Sequence, residues 1–179
     1  MILISVKLLE NGIVSHQLAK AANGDWIKGS FKKNPNFHFP KKANSVLLIA
    51  NGTGIAPFLG MLNSNRNKPP TTLFWGGRNE ASFDLYKPTL ARLKKDEKLM
   101  RVEIAYSRTE SKPKYVQQLV KENEKLITSI LEHQGIIMIC GSLNMQQGVE
   151  EALDQISKNS FNKSIDYFID LGLVKADCY

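Results

Sequence analysis

The chain has 179 residues, of which 42% are apolar, and this suits one compact domain, or one domain with part of another, and argues against disorder. It contains no apolar run long enough to span a membrane and no signal peptide pattern, and its two cysteines are too few for a disulfide framework, so a reducing, cytoplasmic setting is expected. The formal net charge of +7 suits anionic ligands, but the lysines are scattered and do not alternate with aromatic residues, so nucleic acid is not expected as a partner.

The first 42 residues combine strand signals with turns. An apolar–polar alternation predicts a strand over residues 2–9, and a second strand is predicted over 26–31 with Trp26 and Ile27 in the core. Ser15 is placed to cap a short helix that ends near residue 22. Because so few strands cannot bury a core of their own, this segment is predicted to be the end of a β-rich domain whose front is not in this chain.

From residue 43 onward, strand signals alternate with helix signals. The continuous apolar run over residues 46–50 is typical of a strand buried on both faces, as in a parallel sheet covered by helices. The predicted strands are residues 46–50, 71–76, 100–106, 135–140 and 173–179. The predicted helices are residues 55–63, 86–95, 115–130 as one helix or two, 145–156 and 165–171. This order predicts an α/β fold with a doubly wound parallel sheet, which binds ligands at the carboxyl ends of its strands.

The strongest binding signal follows the first of these strands. Gly52, Thr53 and Gly54 separate it from a predicted helix that has Pro57 in its first turn. Strand, glycine turn and helix start direct backbone N–H groups and the positive end of a helix toward a phosphate. A tight turn without a ligand accounts for the glycine pair equally well, because a short glycine motif is a weak signal by itself.

Residues after the other strands are informative only together. Arg78 and Arg108 follow the second and third strands, and a pair of guanidinium groups suits a phosphate, although each alone is equally consistent with an ordinary surface arginine. Cys140 ends a buried strand, where a cysteine is usually inert. Tyr179 is the last residue, and terminal residues are usually poorly ordered.

Taken as an ordered set, these motifs resemble the ferredoxin-NADP reductase superfamily. The likeness is greatest to its diflavin branch, which includes sulfite reductase flavoproteins, the reductases of haem mono-oxygenases and the nitric oxide synthase reductase domains. The motifs are N-G-T-G-I-A-P (51–57), W-G-G-R (75–78), Y-S-R (106–108), Y-V-Q (115–117), I-C-G-S (139–142) and D-C-Y (177–179). The resemblance implies an NADPH-dependent flavoprotein oxidoreductase that passes hydride from NADPH to FAD and electrons onward to a flavin, haem or iron–sulfur acceptor.

The resemblance also implies roles for single positions. Those implied to bind NADP(H) are Gly52, Thr53, Gly54, Gly77, Arg78, Ser107, Arg108, Tyr115, Gln117 and Gly141. Those implied to contact the FAD pyrophosphate are Gly12, Ile13, Val14 and Ser15. Among the first set, Ser107 and Arg108 would hold the 2′-phosphate. Cys140 and Asp177 would assist hydride transfer, Tyr179 would cover the flavin ring, and no metal site is expected.

The resemblance further implies a domain division and two departures from the family. Residues 1–42 would be the C-terminal remnant of the FAD-binding β-barrel domain and residues 43–179 the NADP-binding domain. The flavin motif R-x-Y-S has no match, so we expect a fragment that lacks the rest of its FAD domain and any FMN domain and is inactive alone. Pro113 occupies a position where the family often has a lysine. The alternative is an NADP-binding or regulatory module without turnover of its own, and a membrane is expected only through a segment outside this chain.

Overall fold

The computed structural model describes residues 4–30, 34–40, 42–67, 69–109 and 112–179. Its strands are β1 (Val46–Asn51), β2 (Thr71–Gly77), β3 (Arg101–Tyr106), β4 (Ile136–Gly141) and β5 (Val174–Cys178). All five are parallel and form one sheet in the order β3-β2-β1-β4-β5. The predicted doubly wound parallel sheet is therefore confirmed. Its order reverses between β1 and β4, the place where sheets of this kind bind ligands.

Eight helices connect or flank these strands in the described part of the chain. They are α1 (Ile13–Lys20), α2 (Ile55–Ser64), α3 (Ala81–Asp84), α4 (Lys87–Lys95), α5 (Val116–Glu122), α6 (Glu124–Glu132), α7 (Leu143–Phe161) and α8 (Ile165–Asp170). The segment predicted as one helix or two is two. They meet at Asn123, whose side-chain amide donates to the Leu119 carbonyl oxygen at 2.9 Å and to Glu103 Oε2 at 2.9 Å. An asparagine that bonds locally in this way competes with the helical backbone and favours a helix end.

The core lies in two layers, one on each face of the sheet. Leu47 and Ile49 of β1 pack with α5, α6, α7 and α8, whereas Leu48 and Ala50 pack with α2 and α4. All four side chains are fully buried. Because alternate residues of a strand point to opposite faces, a run of apolar residues is what a strand covered on both sides requires.

The predictions of strands and core residues in the N-terminal segment are wrong. Residues 4–9 and 26–30 form no strand, so the predicted strands over 2–9 and 26–31 are wrong in the part that the structure describes; residues 2, 3 and 31 lie outside it. Trp26 is 99% exposed and Ile27 is 60% exposed, so their predicted place in the core is wrong as well. A strand needs a hydrogen-bonded neighbour, and among the described residues no strand lies beside either segment.

The first helix also begins earlier than predicted. It starts at Ile13, so Ser15 lies inside it and does not cap it. The Ser15 hydroxyl instead donates to the Gly12 carbonyl oxygen at 3.0 Å and accepts from the Leu9 backbone N–H at 3.2 Å. These local hydrogen bonds stabilise the turn that precedes the helix.

Contacts of Phe37 and Ser5 help to attach the N-terminal segment to the α2–α4 face. Phe37 is buried and packs on Phe58 of α2, with ring centroids 5.9 Å apart. Ser5 Oγ lies 2.9 Å from the Tyr86 hydroxyl, immediately before α4. In the described residues, no helix is both long enough and apolar enough to cross a bilayer.

Candidate functional site

A cleft of about 560 Å³ lies across the carboxyl ends of β1, β2, β3 and β4. Of the residues predicted to bind a cofactor, those that line it are Gly52, Thr53, Gly77, Arg78, Ser107, Tyr115 and Gln117. The other lining residues are Lys7, Asn51, Trp75, Gly76, Ser82, Tyr86, Lys114, Val116, Ser142, Asn144 and Met145. The structure therefore brings most of the predicted nucleotide-binding positions into one concave surface.

The glycine turn forms the centre of the cleft. Gly52–Gly54 makes a single 3-10 turn between β1 and α2, and Gly52 has φ +51°, a conformation that side chains disfavour. Gly54 packs so tightly on the end of β4 that a Cβ there would overlap the carbonyl group of Cys140. The Trp75 indole N–H donates to the Gly52 carbonyl oxygen at 3.0 Å and fixes the turn to β2. The turn is thus rigidly held at the N-terminus of α2, where anions bind favourably.

A second connection joins β1 to β4. The Asn51 amide donates to Ser142 Oγ at 3.1 Å, and Asn51 Oδ1 accepts from the Ser142 backbone N–H at 3.0 Å. Ser142 is also the N-cap of α7 and accepts from the Met145 backbone N–H. The ends of β1 and β4 and the start of α7 therefore form one hydrogen-bonded unit on the cleft surface. Neither residue has a binding role among the predictions, although Asn51 ends β1 and Ser142 directly follows β4.

The wall made by β2 and β3 carries hydroxyl and guanidinium groups. The backbone N–H of Ser107 donates to the Gly77 carbonyl oxygen at 2.9 Å, and its hydroxyl reaches the same oxygen at 3.2 Å. The backbone N–H of Arg108 donates to the Arg78 carbonyl oxygen at 2.7 Å. The two arginines are thus neighbours, as the sequence predicts for adjacent strand ends. The Arg78 side chain lines the cleft, whereas Arg108 is exposed and is not among the lining residues.

Tyr115 and Gln117 lie where α5 begins. Tyr115 is about half exposed, and its backbone N–H donates to the Gln118 side chain at 2.6 Å. Gln117 crosses to α7, where a Cβ on Gly148 would lie 3.2 Å from its amide nitrogen. Both residues line the cleft.

The three predicted catalytic residues lie at the ends of β4 and β5. Cys140 pairs with Asp177 in the β4–β5 register, and the Tyr179 backbone N–H donates to the Gly141 carbonyl oxygen at 2.9 Å. The Tyr179 hydroxyl lies 2.8 Å from Thr53 Oγ1. Thr53 therefore contacts both the cleft and the terminal tyrosine, whose side chain is 70% exposed.

Burial strongly raises the pKa of the Cys140 thiol. It is 2% exposed, and burial, with smaller contributions from Cys178 and Asp177, raises its pKa to about 12. The thiol is consequently neutral at physiological pH and is a poor nucleophile. Asp177 and Tyr179 are exposed at the end of β5.

The predicted flavin segment does not join this site. Ile13 and Val14 are exposed, Gly12 and Ser15 bond to each other, and none of the four lines the cleft. Their contact with FAD stays a prediction.

The electrostatics of the cleft favour an anion. Lys7, Arg78 and Lys114 line it, and none of its described lining residues is a carboxylate. Lys114 forms an ion pair with Glu122, which is outside the lining set. No sequence motif predicts Lys7 in the cleft; it lies two residues after Ser5, whose hydroxyl contacts that of Tyr86, another lining residue. A glycine turn at a helix N-terminus, three cations and no acid fit a phosphate-bearing nucleotide.

Comparisons with known proteins agree with this chemistry. Residues 48–151 match a family described as the oxidoreductase NAD-binding domain. The chain is 32% identical over 165 residues to a nitric oxide synthase of Drosophila melanogaster. This alignment covers 86% of this chain and 12% of the synthase. It is 33% identical over 156 residues to a bifunctional cytochrome P450/NADPH–P450 reductase of Bacillus subtilis, and the alignment covers 80% of this chain and 14% of that reductase. It is 30% identical over 135 residues to human NADPH–cytochrome P450 reductase, and the alignment covers 70% of this chain and 20% of that reductase. The chain thus spans at most a fifth of the length of these three relatives.

Proposed function

The chain belongs to the oxidoreductase NAD-binding domain family, the nucleotide-binding fold of ferredoxin reductase-like flavoproteins, and we propose that its cleft binds NADP(H). The observation that carries this proposal is the position of the cleft. It lies where the sheet order reverses, with a glycine turn at the N-terminus of α2, and its described lining residues include cations but no carboxylate.

In this proposal each wall of the cleft binds a different part of the nucleotide. The turn of Gly52, Thr53 and Gly54 holds the pyrophosphate through backbone N–H groups and the Thr53 hydroxyl. Gly77, Arg78, Ser107 and Arg108 bind the adenosine 2′-phosphate side, because guanidinium groups pair with phosphate in two parallel hydrogen bonds. Lys114 adds positive charge beside Tyr115 and Gln117, which flank the adenine.

The proposed reaction is the transfer of hydride from NADPH to FAD. The bound nicotinamide and flavin supply that chemistry, and the protein supplies position and electrostatics. Cys140 and Asp177 are neighbours in adjacent strands, and Gly141 follows Cys140 at the end of β4. A neutral buried thiol next to a carboxylate suits stabilisation of developing charge and not nucleophilic attack. Tyr179 has the exposed ring that could cover a flavin.

The whole protein would continue this electron transfer. The names of the Bacillus subtilis and human relatives include NADPH and P450, which supports NADPH as the reductant and a haem or other redox centre as the acceptor. We assign residues 1–42 to the end of a FAD-binding domain and residues 43–179 to the NADP-binding domain. The exposed apolar side chains of Ile4, Leu8 and Ile13 support this division, because a missing domain would cover them. The protein would act in the cytoplasm.

A second candidate function is an NADP-binding module without turnover of its own. This candidate requires only the nucleotide cleft and gives no role to Gly12, Ile13, Val14 and Ser15, which do not line it. The two functions differ in whether the protein reduces added FAD with NADPH. Both require the same nucleotide site.

Calorimetric titration with NADP⁺ and NAD⁺ tests that site. We expect NADP⁺ to bind more tightly, and Arg108→Ala to weaken NADP⁺ by roughly 10- to 150-fold, the range of one charged hydrogen bond of about 1.5–3 kcal/mol. NAD⁺ affinity should barely change, because it lacks the 2′-phosphate. Arg92→Ala is the matched control, since Arg92 lies within α4 and its guanidinium bonds to Asn63 and Asp96, whereas the Arg108 backbone N–H bonds to Arg78, which lines the cleft. Equal losses for both nucleotides in Arg108→Ala would contradict the assignment.

A further inference from the structure

The side chain of Asn51 makes a connection that a residue in its position does not usually make. Asn51 precedes the 3-10 turn, where an asparagine normally accepts hydrogen bonds from the backbone of its own helix. Here it makes no such bond. Both ends of its amide instead bond to Ser142, 91 residues later in the chain.

The surrounding backbone is adapted to this connection. Gly141 precedes Ser142 with φ +153°, and a Cβ at that position would overlap Asn51 Oδ1. A side chain there would therefore displace the amide. Ser142 in turn caps α7, a helix of 19 residues, through its bond from Met145. Asn51 thus joins the glycine turn to the first residues of the longest helix.

The connection lies at the reversal of the sheet order. Asn51 ends β1 and Ser142 follows β4, which are the two strands on either side of that reversal. Ser142 and Asn144 line the cleft on this side, whereas Arg78, Ser107 and Lys114 line it on the β2–β3 side. A ligand that extends from one side to the other must fit the spacing between the glycine turn and the start of α7.

We infer that Asn51 is a positioning residue that sets this spacing for the pyrophosphate and nicotinamide half of the bound nucleotide. The inference rests on the proposed function. Asn51 acts through Ser142: the two hydrogen bonds hold the start of α7 at a fixed distance from the turn, so that both surfaces are in place before the nucleotide binds. Without them, the nucleotide must order this spacing itself, and that cost lowers its affinity.

A double-mutant cycle of Asn51→Ala, Ser142→Ala and the double variant tests the inference, with NADP⁺ and adenosine 2′,5′-bisphosphate as ligands in calorimetry. Asn51→Ala should weaken NADP⁺ about tenfold and Ser142→Ala, which removes only the hydroxyl, about threefold. The double variant should stay near tenfold, because Asn51→Ala already breaks the connection and Ser142→Ala then removes only the long 3.4 Å cap bond from Met145. Adenosine 2′,5′-bisphosphate, which lacks the nicotinamide half, should change less than about twofold in every variant.

Asn44→Ala is the matched control. The Asn44 amide also joins the β1 and β4 segments, by a 2.8 Å hydrogen bond to the His133 carbonyl oxygen, but before the strands begin. It should leave both affinities unchanged. Thermal unfolding of each variant shows whether it is folded. If Asn51→Ala does not fold, the milder Ser142→Ala still tests the inference.

Three results would overturn the inference. They are an unchanged NADP⁺ affinity in Asn51→Ala, equal losses for the two ligands, and multiplied losses near thirtyfold in the double variant. If the unaltered chain binds no NADP⁺, the proposed function fails and the inference fails with it. If the unaltered chain binds NADP⁺ and Asn51→Ala binds it equally well, only the inference fails.

Discussion

Gly54→Ala should destabilise the protein, because no space exists for a methyl group at this position. A Cβ on Gly54 would overlap the carbonyl oxygen and carbon of Cys140 and lie 2.8 Å from the Gly141 Cα. These are backbone atoms of a central strand, so they cannot rotate away as a flexible side chain can. Overpacking of this kind costs about 1–3 kcal/mol, and we expect the upper part of that range. NADP⁺ affinity should fall too, since the turn must move away from β4.

The same substitution six residues later is the control. Gly60 lies inside α2 and is exposed, and a Cβ there would meet no atom within 4 Å beyond the helix's own backbone. Gly60→Ala should stabilise the protein by about 0.5–1 kcal/mol, because alanine is the better helix former. Urea unfolding followed by circular dichroism measures both changes. A Gly54→Ala variant within about 0.5 kcal/mol of the unaltered chain would refute the packing argument.

Three further predictions concern the catalytic side of the glycine turn and the flavin. Deleting Tyr179 frees the Thr53 hydroxyl that lies 2.8 Å from the tyrosine oxygen, so NADP⁺ affinity should rise by up to about tenfold in calorimetry; weaker binding would contradict this. The folded state keeps the Cys140 proton up to a pKa of about 12, whereas an unfolded thiol loses it near the ordinary value of 9.0, so rising pH favours unfolding between these values. Urea titrations at pH 8 and pH 10 should therefore show a loss of stability that is smaller by about 1 kcal/mol in Cys140→Ala, and equal losses would count against a buried neutral thiol. The purified chain should show no stoichiometric flavin absorbance, and tightly held FAD would prove that expectation wrong.

The parallel sheet could be predicted because its signals are local. A strand buried on both faces must be apolar throughout, so the run from Val46 to Ala50 indicates both the strand and its place in the centre. The glycine turn and the residues after each strand follow from the same reasoning, since the carboxyl ends of parallel strands share one edge. Gly52, Thr53 and Arg78 were therefore predicted near one another, and the structure places all three along one cleft.

The N-terminal predictions failed for a related reason. The alternation over residues 2–9 is a local signal, but a strand forms only when a partner supplies hydrogen bonds to its backbone. The described residues offer no such partner, so Ile4 and Val6 are exposed. A sequence pattern indicates that a segment can form a strand, but it does not show whether a neighbouring strand is present to pair with it.

The order of the elements, the parallel sheet and the edge at which sheets of this kind bind ligands can be predicted from the sequence alone, because each follows from local periodicity and from the rules of strand connection. Which side chains meet depends on the tertiary structure. It brings Asn51 to Ser142, leaves Arg108 next to Arg78 but outside the lining of the cleft, and places Lys7 among the lining residues. These contacts join residues far apart in the chain, and their geometry depends on how helices and strands pack, which no local pattern specifies.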